Sequence, residues 1–253
     1  MTDSIFAVAP YAGGAFLAAS LLAATVNAAE IKVASSPAAS AALAEVAPQF
    51  ERATGHKVVL EFANIAAWRK RIDAGEAFDI AVVGPKLIED LIQQGTIAAG
   101  TQYPIGRTGL AVITRKGGAR PDISSADAFR RALLGAKTVG HSATGESGIG
   151  FMSVLERLGV TSEMKAALRP SANLTDTVAA GEVDFGISGI GFAVANPKVD
   201  YVGPVPHEVQ AYVNLAAGIS ANAKDAQAAR ALIKYLGDPA VVKTMRARGL
   251  EPY

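Results

Sequence analysis

The chain of 253 residues is long enough for one large domain or two small ones. Half of its residues are hydrophobic and 19% are charged, which supplies a substantial core and argues against disorder. The net charge of +1 gives no electrostatic footprint for nucleic acid, so we expect no nucleic-acid partner. The absence of cysteine excludes disulfides, thiolate metal sites and cysteine nucleophiles.

An apolar run that ends in small residues occupies the N-terminal part of the chain. Val26 and Ala28 fit the −3 and −1 positions of a secretory cleavage site, so we predict a signal peptide over residues 1–29, cleaved near Ala28 or Ala29. The usual positive charge ahead of the apolar run is missing, since the first Lys or Arg is Lys32. A retained membrane anchor is the alternative, although the run is short for a bilayer span.

Strands and helices alternate through the first part of the mature chain. Hydrophobic patterns predict strands at 30–35, 56–63 and 78–83 and helices at 38–54, 65–75 and 86–94. Pro48 removes a backbone donor inside the first helix, so we expect a kink or a restart there. This alternation is typical of βαβ units in a parallel sheet.

The second part of the chain continues the alternation with two glycine-rich loops. The patterns predict strands at 109–115, 136–139, 184–187, 199–202 and 209–219, flexible glycine-rich loops at 140–150 and 186–191, and helices at 125–134, 151–158, 161–168, 175–180, 225–236 and 239–248.

This layout predicts two α/β lobes, each a mostly parallel sheet flanked by helices, joined by two crossing strands near 107–115 and 209–219. Lobe I would comprise 30–108 plus 216–253, and lobe II 109–215. Because ligands of such sheets bind at the carboxyl ends of the strands, we expect a site in the cleft between the lobes.

The segment from Gly140 to Phe151 has the order strand, glycine-rich loop, helix. Free backbone N–H groups at a helix start favour anions, so Ser147 and Gly148 are candidate backbone donors. The segment is not a phosphate-binding GxxxxGK[ST] loop, because no Lys follows the glycines, and it lacks the GxGxxG spacing. An ordinary surface turn is the alternative.

Several short stretches together carry a resemblance to a known family. They are EIKVASS from Glu30, APQFE from Ala47, RIDAGEAFDI from Arg71, ALIKYLGDP from Ala231 and GLEP from Gly249. In this order they resemble the type II periplasmic solute-binding proteins of ABC importers, within the molybdate-binding family. The resemblance implies a two-lobed clamp in the periplasm that closes on a small anion, a carboxylate or an oxyanion, and delivers it to an ABC permease. It implies no cofactor, and we expect a monomer.

The oxyanion ligands of the molybdate binders do not all carry over. That family uses hydroxyls from the first two strand-to-helix loops and a tyrosine from a later loop. Here the second loop is Asn64-Ile65-Ala66-Ala67, without a hydroxyl, and Gly189 stands where the tyrosine belongs. Molybdate or tungstate binding with a rebuilt site therefore remains as a third alternative.

A branch of the same family that includes aconitate isomerase shares the charged start of a helix at Trp68-Arg69-Lys70-Arg71 and the polar loop 141–148. Such an enzyme would interconvert trans- and cis-aconitate, with Arg69 holding a carboxylate. His141 or Glu146 would move the proton, because His titrates near neutrality and Glu146 could act as a carboxylate base. Whether the protein is an enzyme or a binding protein stays open, with the binding protein favoured.

The candidate ligand-binding residues are Ser35, Ser36, Asn64, Arg69, Ser142, Ser147, Gly148 and Ser188, with His141 and Glu146 as catalytic residues if the protein is an isomerase. Ser and Asn at these positions could instead only cap helices, and Arg69 could be an ordinary surface cation. The three histidines are too scattered to predict a metal site.

Overall fold

The computed structural model describes residues 28–253, so most of the predicted signal peptide lies outside the described residues. This part of the chain folds as a mixed α/β structure. Its strands are β1 Glu30–Ser35, β2 Lys57–Phe62, β3 Ile80–Val83, β4 Tyr103–Arg115, β5 Val139–Ser142, β6 Leu168–Ser171, β7 Phe185–Gly189, β8 Val199–Pro204 and β9 Tyr212–Ile219.

Most of the helices lie between successive strands. They are α1 Ser40–Thr54, α2 Ile65–Asp73, α3 Pro85–Gln93, α4 Ala126–Gly135, α5 Glu146–Arg157, α6 Thr161–Met164, α7 Leu174–Ala179, α8 Ile190–Ala195, α9 Ala226–Leu236 and α10 Pro239–Ala247. Between residues 28 and 253, no helix combines the length and the apolar character needed to cross a membrane.

The strands form two sheets that share β4, in the overall order β2-β1-β3-β9-β4-β7-β5-β6, with β8 also beside β4. In the first lobe β1 runs parallel to β2 and β3, and in the second lobe β5 runs parallel to β6 and β7. β4 connects the lobes, because its residues 103–109 pair with β9 and its residues 110–115 pair with β7 and β8. The predicted two-lobed α/β architecture is confirmed.

Each sheet is covered by helices on both faces. Val33 points into a core with α1, α9 and α10, whereas the next residue, Ala34, faces α2 and α3. In the same way Val112 packs under α4 and α5, and Ile113 packs under α7 and α8. This period-2 alternation between two apolar faces explains why the strands read as continuous hydrophobic runs.

Four details differ from the sequence expectations. α1 runs without interruption from Ser40 to Thr54, with Pro48 inside it. The helix predicted at 161–168 ends at Met164, and the chain then forms β6. The loop predicted at 186–191 is instead the end of β7 followed by α8, and β5 extends to Ser142 rather than ending at residue 139.

Candidate functional site

A cavity of about 190 Å³ lies between the lobes, where the carboxyl ends of their parallel strands meet. It is small beside the roughly 300–1,000 Å³ of sites for drug-sized ligands, so it suits a small solute. Its polar lining residues are Ser36 and Asn64 from the first lobe and Ser142, Glu146, Ser147, Asn173, Thr175, Asp176 and Ser188 from the second.

The first lobe presents Ser36, the residue after β1, and Asn64, two residues after β2. The Ser36 hydroxyl accepts from the N–H of Ala38 at 3.3 Å and donates to Oε2 of Glu146 at 3.2 Å. The Asn64 carbonyl oxygen accepts from Ala67 at the start of α2, at 2.9 Å. Both residues thus cap the following turn, as their residue types favour, while their remaining polar atoms face the second lobe.

The second lobe presents the start of α5. The hydroxyl of Ser142 accepts from the N–H of Gly145 at 2.9 Å, which fixes the turn between β5 and α5. The N–H of Gly148 donates to the Gly145 carbonyl at 3.0 Å, but those of Glu146 and Ser147 have no protein acceptor within residues 28–253. Two backbone donors at a helix start are therefore free for an anion.

Glu146 crosses from the second lobe to the first. A Cβ placed on Gly84 would lie 2.5 Å from Oε1 of Glu146, so only glycine leaves room for this carboxyl group. Burial raises the pKa of Glu146 above its ordinary value, and the hydrogen bond from Ser36 partly opposes that shift.

Asn173, Thr175 and Phe192 line the cavity but were not among the sequence candidates. The two polar residues follow β6, and Phe192 lies on α8. The sequence patterns predict neither β6 nor α8. Recognising β6 as a strand would have pointed to Asn173 and Thr175, because ligand sites lie after the carboxyl ends of strands.

Several candidates lie outside the cavity lining. The Ser35 hydroxyl is buried and donates to the Ser36 carbonyl oxygen at 3.1 Å. The ring of His141 lies on the far side of β5 from Ser142, 6.0 Å from the ring of Phe151. Gly148 supports the fold instead of facing the cavity, since a Cβ there would lie 2.0 Å from the Ser142 carbonyl oxygen.

Arg69 faces a separate depression, which we call the basic groove. Arg69, Lys86 and Arg157 line this groove of about 530 Å³, and Glu146 stands between it and the cavity. Arg69 pairs with Asp73 at 3.3 Å, so it is not an unpaired cation aimed at the cavity. No cluster of His, Asp and Glu suited to a metal ion occurs among residues 28–253.

Comparison with known proteins places these features in a family. The family model for bacterial extracellular solute-binding proteins matches residues 31–251. Aconitate isomerase from Pseudomonas sp. is 28% identical over 218 residues, 83% of each chain. The molybdate-binding protein ModA of Azotobacter vinelandii is 27% identical over 218 residues, 83% of this chain and 84% of that one.

The solved structures agree on the fold. The periplasmic molybdate-binding protein of Azotobacter vinelandii superposes with a TM-score of 0.71 at 20% identity, over 87% of this chain and 98% of that chain. The resemblance predicted from the short sequence stretches is confirmed, because the family match spans nearly the whole described chain. The protein is a member of the bacterial extracellular solute-binding protein family.

Proposed function

We propose that the protein is a periplasmic solute-binding protein that captures a small anion in the cavity between its lobes and delivers it to an ABC permease. The observation that supports this function most directly is the cavity itself. It joins hydroxyl groups of both lobes, such as Ser36 and Ser147, to two free backbone N–H groups at the start of α5. Such donors replace the water molecules around an anion.

Capture would proceed by closure of the lobes. Ser36 and Asn64 belong to one side of the cleft, and Ser142, Ser147 and Ser188 belong to the other. A ligand that bonds to both sides binds the closed arrangement better than an open one and therefore shifts the population toward it. In this proposal the lobes comprise 30–108 with 216–253, and 109–215.

The proposal includes export, with a signal peptide over residues 1–29 cleaved near Ala28 or Ala29. The mature protein would act as a monomer in the periplasm. Its partner there would be the permease of an ABC importer in the inner membrane. The extracellular assignment of the matched family supports export in general.

Thermal-shift and calorimetric titrations test the binding function. The mature chain is titrated with acetate, lactate, trans-aconitate, sulfate, molybdate and tungstate. An anion present at 100 times its Kd adds about 2.7 kcal/mol to the free energy of unfolding, which a melting curve resolves. We expect at least one anion to do so. If none of them raises Tm, the proposed function is wrong.

A matched pair of serine variants locates the binding site. Ser36 lines the cavity, whereas Ser162 is exposed on α6. We expect Ser36→Ala to weaken binding of the anion that stabilises the wild type by about fivefold or more, the value of one hydrogen bond. Ser162→Ala should leave the affinity unchanged. Equal affinities of the two variants would place the ligand elsewhere.

The second candidate function is an aconitate-isomerase-like activity, favoured by the raised pKa of Glu146 at the cavity wall. Its carboxylate would take a proton from the CH₂ carbon of aconitate, the double bond would shift, and the proton would return to the former CH carbon. The product is again aconitate, and its new double bond can form with the cis or the trans geometry. Arg69, Lys86 and Arg157 of the basic groove would face carboxylates that extend past Glu146.

Incubation with trans-aconitate, followed by chromatographic separation of the isomers, tests this candidate. Conversion should be lost in Glu146→Gln and retained in His141→Gln, because His141 lies outside the cavity lining. No conversion by the wild type at high protein concentration would contradict the enzyme. Binding of molybdate or tungstate in the titrations above would support the third alternative, an oxyanion binder that does without the second-loop hydroxyl.

A further inference from the structure

Glu146 is unusual among the residues of the cavity because it is an acid without an ionic partner. Within the described chain, no Lys, Arg or His lines the cavity, and no ion pair includes Glu146. The other acid of the lining, Asp176, pairs with Nζ of Lys198 at 2.6 Å. The cavity therefore combines anion-binding donors with one uncompensated carboxyl group.

The position of this carboxyl group is fixed by both lobes. Oε2 accepts from the Ser36 hydroxyl, and Oε1 lies in the space that Gly84 leaves open. One hydrogen bond leaves most of the acceptor capacity of a carboxylate unused. A ligand that fills the cavity therefore meets a hydrogen-bond acceptor beside the backbone donors of α5.

A fully deprotonated dianion is poorly matched to such a site. Sulfate and molybdate offer only acceptor oxygens, so their charge would face the Glu146 carboxylate with no cationic side chain in the lining to offset it. A monoanion with a hydroxyl group carries the two groups that this lining can bind, a negatively charged end and an O–H donor. Its charged end accepts from Glu146 N–H, Ser147 N–H and the hydroxyls of Ser147 and Ser188, and its own hydroxyl donates to the carboxylate.

We propose that Glu146 determines the ligand class, so that the cavity selects small monoanions that carry an O–H donor, such as hydroxycarboxylates, and rejects tetrahedral dianions. This inference rests on the proposed function, because it names the kind of anion that the same cavity captures. Specificity then comes as much from what the carboxylate repels as from what it binds.

The selectivity of the cavity depends on pH through Glu146 and the charged residues around it, which lie on two sides. On the cavity side the neighbouring acid is Asp176, held by Lys198. On the groove side the charged residues are Arg69 on α2, Lys86 and Asp90 on α3 and Arg157 on α5. Lys86 pairs with Asp90, and Arg157 donates to the carbonyl oxygen of Val209 at 3.2 Å. Protonation of Glu146 removes the carboxylate charge that repels a dianion.

Paired ligands test the inference on the unmodified protein. Calorimetry compares lactate with propionate and glycolate with acetate, each pair differing by one hydroxyl, and sulfate and molybdate serve as dianions. We expect each hydroxy acid to bind at least about tenfold more tightly than its partner, since a site built for a hydroxyl rejects the analogue without it. Equal affinities within both pairs, or tight binding of sulfate or molybdate at pH 8, would overturn the inference.

The variant Glu146→Gln adds a second test with a different readout. The amide keeps an acceptor but loses the charge, so the preference for lactate over sulfate should narrow by tenfold or more. Sulfate binding to the wild type should strengthen as the pH falls through the pKa of Glu146, and the variant should show no such dependence, because sulfate itself remains a dianion. An unchanged preference and an unchanged pH dependence in the variant would contradict the role of Glu146.

These outcomes separate the inference from the proposed function. If the wild type binds anions without any preference for a hydroxyl, the anion-binding function stands and the role of Glu146 is wrong. If no anion of either titration series binds to the wild type, both proposals are wrong. Circular dichroism of Glu146→Gln establishes that the variant is folded, and the paired ligands on the wild type decide the question in any case.

Discussion

The hydroxyl of Ser36 donates to Oε2 of Glu146 at 3.2 Å, and this hydrogen bond joins the two lobes across the cavity. The donor stands at the end of β1, and the acceptor stands at the first residue of α5. The carboxyl group of Glu146 thus occupies the Ser36 hydroxyl, a hydrogen-bond donor that a bound anion could otherwise use.

Replacement of Glu146 by Gln should change how stability depends on pH. Burial raises the pKa of Glu146 in the folded state above its value of 4.5 in the unfolded chain. Between these two pKa values the folded protein therefore binds one more proton than the unfolded chain. Its contribution to the free energy of unfolding is full below pH 4.5 and is lost as the pH rises through the raised pKa. We expect Glu146→Gln to have a higher Tm than the wild type at pH 8, by an amount that shrinks toward pH 4.

Glu182→Gln is the matched control for this measurement, because Glu182 is exposed and makes no ion pair within residues 28–253. Its free energy of unfolding should stay within about 0.5 kcal/mol of the wild-type value across this pH range. Parallel pH profiles for the wild type and Glu146→Gln would show that Glu146 does not titrate abnormally in the folded state.

Much of the fold could be predicted from the sequence because its strands are apolar on both faces. Ile80 to Val83 are buried throughout, and Leu110 to Ile113 alternate between two separate cores. Such runs, separated by helices with one apolar face, leave few arrangements besides layered α/β lobes. The position of the cavity followed from the strand ends, and so did part of its lining, such as Ser36 and Ser147, whereas Asn173 and Phe192 were not among the candidates.

The missed elements are those whose sequence resembles a loop. β6 contains Pro170 and, among residues 28–253, pairs with β5 alone; an edge strand tolerates a residue that cannot donate to a ladder. The glycines before and within α8 suggested flexibility but serve close packing. A Cβ on Gly186 would lie 2.7 Å from Val178, and one on Gly191 would lie 2.4 Å from the Ala38 carbonyl oxygen.

His141 shows a third reason why the structure differs from the sequence prediction. The strand was expected to end at residue 139, which would have placed His141 in an open loop. β5 instead continues to Ser142, and neighbouring side chains of a strand point to opposite faces. The step of one residue puts Ser142 at the cavity and His141 beside Phe151.

Two glycines of α5 should respond in opposite ways to replacement by alanine. A Cβ on Gly148 would lie 2.0 Å from the Ser142 carbonyl oxygen, so Gly148→Ala should lower the free energy of unfolding by about 1–3 kcal/mol. A Cβ on Gly150 would lie 3.4 Å from that of Ala211, so Gly150→Ala should be neutral or stabilising by up to about 1 kcal/mol. Urea denaturation measures both values. Equal stability of the two variants would contradict the close contact.

Trp68 should report ligand binding by fluorescence, because it is the single tryptophan of the sequence. It is buried, and its Nε1–H donates to the Ser35 carbonyl oxygen at 2.8 Å, one residue before Ser36 at the cavity wall. We expect emission at the short wavelengths of a buried indole and a change in intensity on titration with the captured anion. The change should weaken in Ser36→Ala at the same anion concentration. Emission typical of indole in water would contradict the burial of Trp68.

Gln210 should be required for stability where β4 passes from one sheet to the other. Its amide accepts from the N–H groups of Leu110 at 2.8 Å and Ala211 at 3.1 Å, and it donates to the Val205 carbonyl oxygen at 3.0 Å. Leucine at this buried position would leave these backbone groups without that partner, at about 1–3 kcal/mol each. We expect Gln210→Leu to lower the free energy of unfolding by at least about 3 kcal/mol in urea denaturation, whereas the exposed control Gln227→Leu should change it by less than about 0.5 kcal/mol. Similar losses in both variants would show that the amide network does not hold β4 in place.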